Sequence, residues 1–137
     1  MMQRFQPIFG LLTLLLPLTF VSPASAQGSG DAATRQIVAF GDSLSAGYGL
    51  GPGESFPEQL QAALRDDGYE VTVTNAGVSG DTTSGGLARL DWSVPDSANL
   101  VIVELGANDA LRGVDPQITR QNLDQILTRL GERGQRI

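Results

Sequence analysis

No histidine, no cysteine and no lysine occurs in the 137 residues of this chain; all nine basic side chains are arginine. Each absence removes a class of chemistry. Without cysteine there is no thiol nucleophile, no disulfide, no thiolate metal site and no lipid-anchored N-terminal cysteine. With imidazole missing too, only oxygen ligands remain, a poor set for zinc, so no zinc site is expected. The two groups that most often take a proton from a serine hydroxyl, imidazole and amine, are both lacking. Fifteen acidic residues outnumber the arginines, for a formal charge of −6, and the arginines form no cluster. Nucleic acid and anionic membrane surfaces are therefore not expected partners.

A long apolar run is also lacking. Ile8 to Val21 is interrupted by Thr13, Pro17 and Thr19, and falls short of the ~18 residues that a membrane span usually needs. With Arg4 before it and Ala24-Ser25-Ala26 after it, the run has the three parts of a secretory signal peptide. Residues 1–26 are expected to be removed, no stable membrane anchor is expected, and the product is placed in the periplasm or outside the cell. Residues 27–35 are polar and rich in Gly, Ser and Ala, and are assigned as a linker. Residues 36–137 carry the folded part.

There, short apolar runs alternate with amphipathic stretches. Gln36–Phe40, Glu70–Thr74 and Leu100–Leu105 are the expected strands, the last apolar enough to be covered on both faces. Ser55, Pro57 and Glu58 form a capping box with proline in the first turn. Phe56, Leu60, Ala63 and Leu64 then recur at helical spacing up to Asp67-Gly68. Asp81 is the expected cap of a second helix through Leu87 and Leu90, with Trp92 and Pro95 in the connection that follows. Gln117–Leu130 is the expected third helix, with Ile118, Leu123, Ile126, Leu127 and Leu130 on one side and Gly131 and Gly134 ending it. This β-α-β-α-β-α order implies right-handed crossovers and an α/β fold, a doubly wound parallel sheet in three α/β/α layers. Gln135-Arg136-Ile137 resembles the approach to a fourth strand. Without that strand Leu100–Leu105 would keep a bare apolar edge, so the sequence is expected to be truncated there.

Each expected strand ends in a glycine-bearing turn, at the sheet edge where parallel α/β proteins bind ligands. Gly41-Asp42-Ser43-Leu44-Ser45 follows the first, Asn75 to Asp81 the second, and Gly106-Ala107-Asn108-Asp109 the third. Ser43 could be a nucleophile or an ordinary turn serine. Gly80 could offer its amide to a substrate oxygen or merely permit a tight turn. Asn108 could donate through its carboxamide, or cap a loop. Asp42 and Asp109 are the remaining candidate bases, but a carboxylate is too weak a base at neutral pH unless buried; Asp42 reads better as a structural partner of loop amides.

These blocks resemble the SGNH hydrolases, or GDSL esterases. Gly41 to Ser45 matches the first block, Gly80 the glycine of the second, and Gly106-Ala107-Asn108-Asp109 the Gly-x-Asn-Asp pattern of the third. The stretches GDSLSAGYG, NAGVSGDTT and VIVELGANDALRG are similar to the periplasmic acyl-CoA thioesterase, lysophospholipase and arylesterase branch. The resemblance covers about Ile37 to Leu130. It implies the flavodoxin-like SGNH fold and a serine hydrolase cleaving esters or thioesters through an acyl-enzyme. Ser43 would be nucleophile and oxyanion donor, and Gly80 and Asn108 the other donors. The partner would be a small acyl ester or thioester, no cofactor would be used, and the full-length protein would be a monomer. The family's Asp-x-x-His block is absent, so these 137 residues alone are expected to be an inactive fragment. A catalytically dead ligand-binding module is the alternative. A nucleotide-binding α/β domain is a third possibility, weakened by the lack of P-loop or G-x-G-x-x-G spacing.

Overall fold

The computed structural model describes residues 34–137; the expected signal peptide, and the linker before residue 34, lie outside the described residues. Three parallel strands form the sheet: β1 (Arg35–Gly41), β2 (Val71–Gly77) and β3 (Leu100–Glu104), in the order β2-β1-β3. Chain direction across the sheet therefore reverses at β1. Right-handed crossovers then place the intervening helices on opposite faces, which is the doubly wound arrangement.

Helix α1 (Ser43–Ala46) follows β1 directly, and α2 (Phe56–Asp66) leads to β2. Helix α3 (Thr83–Ser93) joins β2 to β3; α4 (Ala107–Leu111) and α5 (Pro116–Glu132) follow β3. The main core lies between the sheet and the α3–α5 layer. Val38, Phe40 and Val101 point into it from the strands and meet Leu90, Val94, Ile126 and Leu130. Ile37 and Ala39 alternate with these residues and are buried too, so β1 is covered on both sides, as its unbroken apolar run requires.

The capping box at Ser55 and Glu58 starts α2 as its sequence predicts: Glu58 accepts from the Ser55 amide and hydroxyl. Those bonds hold the Glu58 carboxyl below its usual value, the hydroxyl contributing most. Helix α2 also serves the free edge of β2. Gln61 Oε1 accepts from the Val73 amide and Arg65 Nε donates to the Val71 carbonyl, satisfying groups a neighbouring strand would otherwise take.

Several local expectations are corrected. Thr82, not Asp81, caps α3 through the Gly85 amide, because Asp81 Oδ2 is engaged by Arg89. Trp92 lies inside α3, exposed on its outer side. Gly131 sits within α5, and the chain turns out of the helix only at Gly134. Phe56, Ala63, Ile118 and Leu127 are exposed rather than core. Of β3 only Val101 is fully buried, so the strand is not covered on both faces over its length, and Leu105 lies just past its end. Arg136 forms a parallel bridge to Leu100, beside β3 where the fourth strand was expected.

Candidate active site

Ser43, Gly80 and Asn108 all emerge at the carboxyl edge of the sheet, after β1, β2 and β3 in turn. Ser43 and Asn108 flank the β1–β3 boundary, the switch point at which doubly wound sheets open a crevice.

The chain does not simply turn after β1; it makes one helical turn. Asp42 caps it by accepting from the Leu44 amide at 3.0 Å, and the Ala46 and Gly47 amides donate back to the Asp42 and Ser43 carbonyls. Glycine content alone suggested a turn; the aspartate cap is the signal that predicts a helix start. Ser43 is the first residue of this turn and half-buried. Among the described residues its Oγ has no hydrogen-bond partner, so the hydroxyl is free to turn outward.

Gly80 occupies the third position of a β-turn closed by the Asp81 amide on the Val78 carbonyl. Its φ of +80° is the value a type II turn needs there, which disfavours every other residue. Its carbonyl is held by Arg112 Nη2 at 2.7 Å. Arg112 follows α4, so this bond ties the Gly80 turn to the Asn108 element.

Asn108 Nδ2 donates to Asp42 Oδ2 at 2.9 Å. A carboxamide nitrogen carries two hydrogens; one is fixed on Asp42 and the other can serve a ligand. Asp42 is 1% exposed and acts as the structural partner of the loops, one oxygen on Leu44 and the other on Asn108. Asp109, also buried, spends both oxygens on neighbouring helices: Oδ2 accepts from the Thr83 amide at the start of α3, and Oδ1 from the Thr83 hydroxyl and from Thr119 of α5. Asn122 on α5 donates to the same Thr83 hydroxyl and to Ser84. Neither aspartate is placed to take a proton from Ser43.

Two residues of this edge escaped the reading of the sequence. Arg89 of α3 is buried over the Phe40 ring. It donates to the Gly41 carbonyl at 2.9 Å, the Ala76 carbonyl at 2.8 Å and Asp81 at 2.7 Å, joining the ends of β1 and β2 to the turn beside Gly80. Glu104 closes β3 and bonds the Asp42 amide and the Ser45 hydroxyl. Partial burial lifts its carboxyl above the ordinary glutamate value; the Asp42 charge pushes the same way, and the bond from the Asp42 amide opposes both. The available signal was a lone carboxylate at the end of an apolar strand.

Among the described residues no helix is long and apolar enough to cross a membrane, and no three acidic side chains gather to hold a metal ion.

A model of the GDSL-like Lipase/Acylhydrolase family matches residues 39–137. An arylesterase of Vibrio mimicus is 42% identical over 125 residues, which is 88% of this chain and 58% of that protein. Esterase TesA of Pseudomonas aeruginosa is 40% identical over 107 residues, 77% of this chain and 53% of that one. Among solved structures, AlinE4, an SGNH-hydrolase family esterase, aligns with a TM-score of 0.69 at 55% identity, covering 73% of this chain and 55% of its own. The crystal structure of TesA aligns with a TM-score of 0.70 at 40% identity, over 74% of this chain and 57% of that one. The chain spans about half the length of the curated relatives it matches.

Proposed function

Since the chain belongs to the GDSL-like lipase/acylhydrolase family, we propose that it carries the nucleophile and oxyanion half of an ester or thioester hydrolase. The observation that supports this most is the arrival of Ser43, Gly80 and Asn108 at one sheet edge, with the serine hydroxyl unengaged among the described residues and a carboxamide hydrogen to spare. Ser43 Oγ attacks the acyl carbonyl of a small ester or thioester. The oxyanion that forms is held by the amides of Ser43 and Gly80 and by Asn108 Nδ2. Collapse expels the alcohol or thiol, which leaves with a proton, and the acyl group stays on Ser43. Water then attacks the acyl-enzyme and releases the acid.

The Ser43 proton needs a base stronger than these loops provide. No histidine or lysine is present in these residues, and both nearby aspartates are bound into loop amides. The base is accordingly assigned to a histidine, oriented by an aspartate, in the remainder of a full-length parent, and residues 27–137 alone are expected to be inactive. The full-length protein is assigned as a monomer. It should hydrolyse p-nitrophenyl acetate and short acyl thioesters, and a fluorophosphonate probe should label it on Ser43. No hydrolysis and no labelling would leave a ligand-binding module instead.

The donors should act mainly in the transition state. Asn108→Ala in the full-length enzyme should lower kcat by about 100-fold or more with KM little changed. An unchanged kcat would make Asn108 a brace for Asp42 and nothing else.

Export is the further part of the proposal. The charged start, apolar run and Ala24-Ser25-Ala26 support cleavage after Ala26 and release into the periplasm or beyond. Intact-mass measurement of the exported protein should find Gln27, free or cyclised, as its first residue; retention of Met1 would refute it.

A further inference from the structure

Helix α1 is a single turn of four residues, too short to hold itself. Something else must fix the direction in which Ser43 presents its hydroxyl, because among the described residues Ser43 Oγ has no hydrogen-bond partner. Glu104 stands opposite. It pairs with Gly41 in the register of β1 and β3. Its Oε2 accepts from the Asp42 amide at 3.2 Å and from Ser45 Oγ at 3.1 Å. These two donors lie one residue before Ser43 and two after it, so one oxygen grips the turn on both sides of the serine.

The site is cut to admit that carboxylate. A Cβ on Gly41 would lie 2.7 Å from Glu104 Oε2 and 2.2 Å from Ser45 Oγ. Glycine at position 41 therefore leaves the room in which the grip is made. The carboxyl stays there although burial and the Asp42 charge disfavour its ionised form. An apolar side chain would avoid that desolvation but would leave the buried Ser45 hydroxyl and the Asp42 amide without an acceptor.

We propose that Glu104 is a positioning residue: it holds the nucleophile turn by the Asp42 amide and the Ser45 hydroxyl and so aims Ser43 at the acyl carbonyl. The kinetic side of this inference rests on the esterase proposal; the structural side does not. The carboxylate acts as an acceptor, and its charge is not what the turn uses. Glutamine, which keeps a carbonyl oxygen of similar reach, should therefore replace it.

The test uses the full-length protein with Glu104→Ala, Glu104→Gln and Ser45→Ala. Glu104→Ala should lower kcat roughly 10- to 100-fold with KM within about twofold, as a misaimed nucleophile would. Glu104→Gln should recover kcat to within about fivefold of the parent. Ser45→Ala removes one of the two bonds, keeps the carboxylate, and should cost roughly 2- to 10-fold; it decides the matter if Glu104→Ala does not fold. In parallel, amide hydrogen exchange at residues 42–46 should quicken about tenfold or more in Glu104→Ala, while β1 and α5 exchange as before. Unchanged exchange at 42–46, or a kcat loss that Glu104→Gln does not recover, would overturn the proposal. A parent that turns over no ester, with the exchange result as expected, would refute the esterase reading and leave Glu104 as the holder of this turn.

Discussion

Ser43→Ala in the full-length enzyme is expected to lower kcat by about 10,000-fold or more while the protein melts where the parent does. Both halves of that result follow from where the hydroxyl sits. The proposed reaction needs a covalent acceptor for the acyl group, and Ser45 is poorly placed to replace it, being buried and bonded to Glu104. Ser84 accepts from Asn122, and Ser79 lies past β2 in the Gly80 turn. Among the described residues, by contrast, no hydrogen bond of the fold uses the Ser43 hydroxyl. Alanine at the first position of a helical turn keeps the backbone bonds from Gly47 and Tyr48 to the residue-43 carbonyl. A stability change within about 0.5 kcal/mol is expected for such a site. Activity lost at constant melting temperature separates chemistry from folding. Turnover or fluorophosphonate labelling that survives in Ser43→Ala would mean that the nucleophile is elsewhere.

The second large effect is on stability, and it concerns Arg89. Arg89→Ala should destabilise the full-length protein by about 3–5 kcal/mol, a fall in melting temperature of roughly 10 °C. The guanidinium is buried with Asp81, and the two side chains are 8% and 11% exposed. Among the described residues, removing it leaves the Asp81 carboxylate with only the Thr82 amide, strips Arg89's bond from the Gly41 carbonyl, and deprives the Ala76 carbonyl of its side-chain donor. It also uncovers the Phe40 ring, over which the guanidinium lies at 4.2 Å. The penalty is largely that of the orphaned partner, so it should be non-additive. Arg89→Ala combined with Asp81→Ala should lose distinctly less than the two single losses together. Additive losses, or an Arg89→Ala variant as stable as the parent, would show that the pair is solvated and that the ends of β1 and β2 are held by something else. Because Asp81 adjoins Gly80, kcat should fall along with stability in Arg89→Ala, unlike Ser43→Ala.

The contrast between these residues marks how much the sequence could reveal. Elements governed by near neighbours were legible. The apolar run of β1 predicts a buried strand, and the box at Ser55 and Glu58, three residues apart, predicts the start of α2. The alternation of strands and helices predicts the doubly wound sheet. The three glycine-bearing turns were legible in place but not in extent: Asn75, Ala76 and Gly77, expected in the second turn, continue β2, and Gly41, expected in the first, ends β1. Errors arose where a residue type that commonly ends or caps a helix was otherwise used. Asp81 has the chemistry of a helix cap, yet Arg89 on the next helix engages it and Thr82 caps instead. Gly131 could end a helix, but the backbone of α5 runs on through it.

By itself, then, the amino-acid sequence determined the strands, their order along the chain, and which turn carries Ser43, Gly80 and Asn108. Tertiary structure alone decided what holds those turns together. Arg89 reaches a carbonyl 48 residues away, Glu104 an amide 62 residues away, and Asn108 a carboxylate 66 residues away. No periodicity or spacing records such pairs. They exist because parallel strands joined by crossovers bring the ends of β1, β2 and β3 to one edge. There, polar groups cut off from water must find partners across the sheet rather than along the chain.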